Sequence, residues 1–162
     1  MIKQKLVVLR DEIEEELKHI YQLKNQIKEV NKENFSSNSP IKTRVYASIL
    51  TDFYMAAERI FKLIAKEIDE DLPETENWHK KLLRQMSVEI PGIRPAVIDK
   101  NLYYLLEEYL KFRHLVRNIY GFQLQYKRFS HLITDIDTAI FEMVNQVNNF
   151  LNKMEEIAKK IT

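Results

Sequence analysis

Cysteine is absent from the 162 residues. No disulfide, thiol nucleophile or thiolate metal site is therefore open to the chain, and the composition suits a reducing compartment, with the cytoplasm as the expected location. Glycine is nearly absent too, at two residues. A sheet protein needs more Gly and Asn-Gly turns than that, so the expected class is all-α. Long apolar runs are missing: the N-terminal "MIKQKLVVLRDEIEEELK" has at most four apolar residues in a row before it turns acidic, which predicts neither a secretion signal nor a membrane span. Net charge is small as well, with 25 Lys plus Arg against 24 Asp plus Glu. That balance excludes a generally basic protein, so any contact with nucleic acid has to come from a local patch. The length points to one domain over residues 1–162.

What is present is helical periodicity. Leu6, Leu9, Ile13, Leu17, Ile20, Leu23, Ile27 and Val30 recur at steps of three and four, the mark of one long amphipathic helix. "NFSSNSP" breaks it, with Ser39 placed to cap a second helix and Pro40 at that helix's first position; its stripe is Val45, Ile49, Phe53, Ala57, Ile60, Ile64 and Ile68. A third, shorter helix is expected from about Thr75 to Met86, with Trp78, Leu82 and Leu83 facing inward, and "EIPGIRP" ends it. A fourth runs from Pro95 or Asp99 into the 120s on a stripe of Leu105, Tyr109, Phe112, Val116 and Ile119, with Gly121 as a point of weakness. The last covers His131 to Lys160, carrying Ile133, Ile136, Ile140, Val144, Val147, Leu151 and Met154. Short breaks between helices suit a compact bundle.

One further absence is local. From Tyr109 to Thr134 there is no Asp or Glu, and "RHLVRNIYGFQLQYKR" keeps four Arg or Lys, a His, an Asn and two Tyr. On a helical wheel Arg113, Arg117 and Tyr120 share one side at i, i+4 and i+7, while Lys111, His114 and Asn118 share another. With no carboxylate expected in reach, the Arg forks can take phosphate oxygens, and Tyr109, Tyr120 and Tyr126 offer faces for stacking bases. RNA is the partner this pattern suggests. A solvated basic face, or a dimer seam against acids such as the "DEIEEE" run, is the other reading of the same residues. Neither a His-Glu-x-x-His pattern nor a glycine-rich phosphate loop occurs, so no cofactor and no metal site are expected.

"RHLVRNIY" resembles the R-x4-H-x-Y signature of the HepT toxins, a branch of the HEPN superfamily of small helical ribonucleases. Arg113 stands at the Arg position and Tyr120 at the Tyr position, while Asn118 replaces the His. His114, directly after the Arg, is an allowed polar residue in the wider HEPN pattern. "YASILTDFYMAAERIFKLIA" and "NWHKKLLRQM" resemble the helices that precede the motif, so the likeness spans roughly residues 40 to 130. The resemblance implies a HEPN-like four- or five-helix up-and-down bundle. It also implies a homodimer whose two motifs meet in a cleft, where RNA is cut without a metal.

It further implies a toxin–antitoxin system, with a minimal nucleotidyltransferase as antitoxin that attaches AMP to the motif Tyr. Carried over, Arg113 would hold the scissile phosphate, position 118 would supply acid–base chemistry, and Tyr120 would be the modification site. Arg117, Lys111 and Tyr120 would contact the RNA. An Asn amide hydrogen-bonds but does not titrate near neutral pH, so the chemistry is altered at Asn118, with His114 the candidate to stand in. The alternatives are a non-catalytic HEPN dimer that binds RNA or a nucleotidyltransferase, and a plain helical interaction protein.

Overall fold

The computed structural model describes residues 2–36 and 39–161. Five α-helices run through them: α1 (Ile2–Lys32), α2 (Pro40–Ile64), α3 (Trp78–Met86), α4 (Lys100–Asn118) and α5 (Tyr126–Ile161). α1 buries Leu6, Leu9, Ile13, Leu17, Ile20, Leu23 and Ile27, the stripe its sequence spacing predicts. Ile13 and Ile20 are fully sealed, and cutting either to Ala removes about 2–5 kcal/mol of packing. α2 lies antiparallel to α1: Tyr46 donates to Asn31 at one end and Arg59 sits against Glu16 further along.

α2 begins as its sequence signals require. The Ser39 hydroxyl accepts from the Lys42 N–H and Pro40 is the first helical residue, so an orphan donor is satisfied and no N–H is wasted. Ser37 and Asn38 of the "NFSSNSP" break lie outside the described residues. The helix passes Ile64 into one widened π turn, Ala65–Asp69, closed by Glu70 in the left-handed region. Ile68 therefore sits on that turn, partly buried. α3 starts at Trp78, not Thr75; Leu82 and Leu83 are buried and Trp78 half-buried. The segment after it folds back around Gly92, at φ 78, through the bridge between Ile90 and Arg94.

α4 differs from its expected course in three ways. It starts at Lys100, because the Asp99 carboxylate caps the Leu102 N–H at 2.8 Å. Its buried row is Leu102, Leu106, Tyr109, Leu110, Phe112 and Arg113, with Leu105 and Val116 only packed at the edge. It also stops at Asn118: Ile119 and Tyr120 are extended, and Gly121–Gln123 form a short 3-10 turn. This turn replaces the expected run into the 120s. Tyr120 N–H donates to the Gln123 side chain at 2.8 Å and Gln123 N–H to the Tyr120 carbonyl, so local bonds compete with another helical turn.

The Arg44 guanidinium lies over Gly121, where a Cβ would come within 2.7 Å of it and the exposed arginine would have to swing aside. α5 begins at Tyr126 rather than His131, because Phe129 joins the core against Phe112 with ring centroids 4.7 Å apart. Ile136, Ile140, Val144, Val147, Leu151 and Met154 are buried along it, while Ile133 is only packed against the core edge. α4 and α5 are antiparallel, as the Tyr109 hydroxyl on Leu132 and the Asp99 N–H on Gln146 show. The core is one contiguous cluster.

Candidate functional site

The acid-free segment does not stay free of acid in three dimensions. Glu58 of α2 reaches Arg113 of α4, Oε1 to Nη1 at 2.8 Å, and both side chains are almost sealed from solvent. Helical side chains lean toward their own N-terminus. On antiparallel α2 and α4 that lean brings Glu58 and Arg113 together near the level where Phe53 meets Tyr109 edge-on. Lys111 likewise stands 3.6 and 3.7 Å from Glu107 and Glu108. The expectation that no carboxylate is in reach of this helix is thus corrected, and the cause is a residue 55 positions upstream of Arg113.

The second oxygen of Glu58 holds His79 of α3: Oε2 lies 2.6 Å from Nδ1. His79 stacks on Trp78 with centroids 3.5 Å apart, and Lys62 stands over the other partner of that stack at 4.1 Å. The imidazole is thus fixed by an edge and by a face. A buried carboxylate between a guanidinium and an imidazole is satisfied on both oxygens, which is what makes its burial tolerable. Tyr54 lies beside it; burial first, and the Glu58 charge second, push its phenol far above the ordinary range. Burial does the same to Tyr109, whose hydroxyl donates to the Leu132 carbonyl at 2.7 Å. Tyr109 is fully buried, so the stacking role expected of it is excluded.

The remaining expected residues fall into separate places. Lys111, His114, Arg117 and Asn118 are exposed on α4. The Asn118 amide donates to the His114 carbonyl at 2.7 Å. Buried Arg113 and exposed Asn118 do not converge within one chain, as expected for positions about 140° apart on a helix. Tyr120 is off the helix, and so does not continue the Arg113 and Arg117 row; it is 70% exposed and stacks on Phe122, 73% exposed, with centroids 5.3 Å apart and planes 8° from parallel. Tyr126 is half-buried and tilts against Tyr46.

Near the Tyr120–Phe122 stack the Arg44 guanidinium lies over Gly121 and Lys127 lines a pocket with Phe122; Arg117 and Arg128 are close to the stack along the chain, and all four are exposed. The ion pairs among the described residues include none of these four. A pocket of about 310 Å³ opens beside Phe122 and Lys127, floored by Pro40, Thr43 and Leu124.

A second pocket, about 350 Å³, lies between α3 and α4 and is lined by Glu76, His79, Lys80, Lys111 and His114 among others. Sequence reading missed Glu58 and His79. A signal for Glu58 existed: it interrupts the apolar row Leu50, Tyr54 and Phe61, all buried. The Glu-x-x-His spacing also occurs twice, at Glu16 and His19 and at Glu76 and His79. Among the described residues no three His, Asp or Glu come together in a way that could hold a metal ion, and no helix is long and apolar enough to cross a membrane.

An all-α bundle of HEPN type, with a charged and aromatic surface at the end of α4, is the class these features define. Residues 45–154 match the model of a family described as HepT-like protein. That is more than half of the chain, which belongs to this family. No curated protein and no solved structure matches it.

Proposed function

We propose that the protein is a HepT-like endoribonuclease that works without a metal ion, the toxin of a toxin–antitoxin pair, with active-site chemistry altered at Asn118. The observation that carries this reading is the exposed Tyr120–Phe122 stack with Arg44 over Gly121 and Lys127 beside Phe122, in a segment that also holds exposed Arg117 and Arg128. Stacked aromatic faces beside cations with no carboxylate partner suit single-stranded RNA, because bases stack on the rings while phosphates meet the cations. The protein acts as a homodimer across the exposed face of α4, where Tyr104 and Leu115 are open apolar residues and Asn118 lies on the same side. Tyr120 stands free for attachment of AMP by a minimal nucleotidyltransferase antitoxin, and the added phosphate would screen Arg117 from RNA.

The test measures binding and cleavage of single-stranded RNA in EDTA. Arg117→Ala is expected to weaken binding and to flatten the salt dependence by about 0.7 units per lost phosphate contact. Unchanged affinity and slope in both Arg117→Ala and Tyr120→Ala would remove this surface as the RNA site. One observation favours a non-catalytic dimer instead: Arg113 is committed to Glu58 and the Asn118 amide to His114. Under that reading RNA binds as above and no cleavage occurs.

A further inference from the structure

We propose that His79, not position 118, is the base that activates RNA for cleavage, in the pocket between α3 and α4, with Glu58 and Arg113 acting behind it as positioning residues. The proposal rests on the ribonuclease reading above. Its basis is the way His79 is held. A carboxylate bound at Nδ1 keeps that nitrogen protonated and turns the lone pair to Nε2. Nε2 has no protein partner among the described residues, and 29% of the side chain is open to solvent, whereas Glu58 is 5% exposed. A buried carboxylate that orients an imidazole whose far nitrogen is free is the arrangement of a general base. Stacking on Trp78 fixes the plane of the ring.

The pocket has the rest of what the reaction needs. Lys80 and Lys111 supply positive charge for a phosphate, and His114 lines the same space. Glu76 is the carboxylate in the lining, and Glu107 and Glu108 stand beside Lys111. Glu58, Arg113, and Lys62 over Trp78 complete the charged groups around His79. In the step proposed, Nε2 of His79 takes the proton of a ribose 2′-hydroxyl as O2′ bonds to the adjacent phosphorus. The P–O5′ bond breaks with its electron pair going to O5′, which takes a proton from the His114 imidazolium. The products are a 2′,3′-cyclic phosphate and a 5′-hydroxyl, one proton having been taken and one given. Arg113, sealed against Glu58, then acts on the reaction only through that carboxylate.

The experiment uses the full chain and a fluorophore–quencher single-stranded RNA of mixed sequence in EDTA. His79→Asn keeps an N–H where Nδ1 stood, so Glu58 retains a donor, but removes the base. The cleavage rate is expected to fall about 10²- to 10⁴-fold with RNA affinity and Tm unchanged. His79→Ala is expected to recover part of its rate when free imidazole is added, which a purely structural role would not allow. Mass spectrometry is expected to find cyclic phosphate ends. Cleavage by His79→Asn at the wild-type rate overturns this proposal and leaves the ribonuclease reading standing. So does a loss that imidazole does not restore, or one that comes with weaker RNA binding or a lower Tm. Wild type that cuts no RNA overturns both.

Discussion

Replacing Arg113 by Met keeps the length of the side chain and removes its charge, leaving the Glu58 carboxylate with His79 alone. Glu58 is 5% exposed and Arg113 10%, so solvent screens the pair little. Breaking such a buried pair by removing one partner costs about 3–5 kcal/mol. His79 at 2.6 Å still satisfies one oxygen, which places the expected loss near the lower bound, about 3 kcal/mol. For a chain of this size each kcal/mol lowers Tm by about 2–4 °C, so the variant is expected to melt about 6–12 °C below wild type.

Urea melts followed by circular dichroism, with the matching Glu58→Gln variant and the double variant, complete the cycle. Removing both charges is expected to recover about 2 kcal/mol relative to the sum of the single losses. A loss in Arg113→Met under about 1 kcal/mol, or singles that add to within about 0.5 kcal/mol, would show that the contact is not the buried, coupled pair described. The same variant separates two roles for Arg113. Below its melting range, a variant that had lost a phosphate contact would lose RNA affinity and salt slope, whereas one whose Arg worked through Glu58 would lose rate and keep both.

Arg94 uses its fork on both Asp69 oxygens and gives its remaining donors to the carbonyls of Gln85, Val88 and Pro95. Arg94→Lys cannot reproduce that planar set and is expected to cost about 3 kcal/mol by chemical denaturation; a change under about 1 kcal/mol would refute the role. Gly92→Ala is expected to lose about 1 kcal/mol from φ 78 alone, since no atom crowds the site, whereas a neutral result would mean the turn relaxes. Asn118→His is expected to leave cleavage within a few-fold of wild type if His79 is the base, and to raise it by about 10²-fold or more if position 118 is. Light scattering at micromolar concentration is expected to give a dimer, and Tyr104→Glu with Leu115→Glu a monomer; a wild-type monomer would remove the α4 interface.

The helices were legible in sequence because their information is local. An apolar residue every three or four positions needs only its own helix to be read, and so the α1 stripe, the Ser39–Pro40 start of α2 and the apolar ladder of α5 are visible in the chain alone. The ends of α4 were less so: the Asp99 cap is a short-range signal, but the stop at Asn118 goes with the Tyr120 N–H bond to the Gln123 side chain in the turn that follows. An Arg in a basic, acid-free run reads as exposed when only neighbours along the chain are counted. Arg113 is buried because helix crossing brings Glu58 from α2 and His79 from α3 to one point. No period in the sequence encodes that meeting. Long-range electrostatics between residues 55 and 21 positions apart became decidable only once the helices had packed, since burial is what turns a nearby charge into a partner.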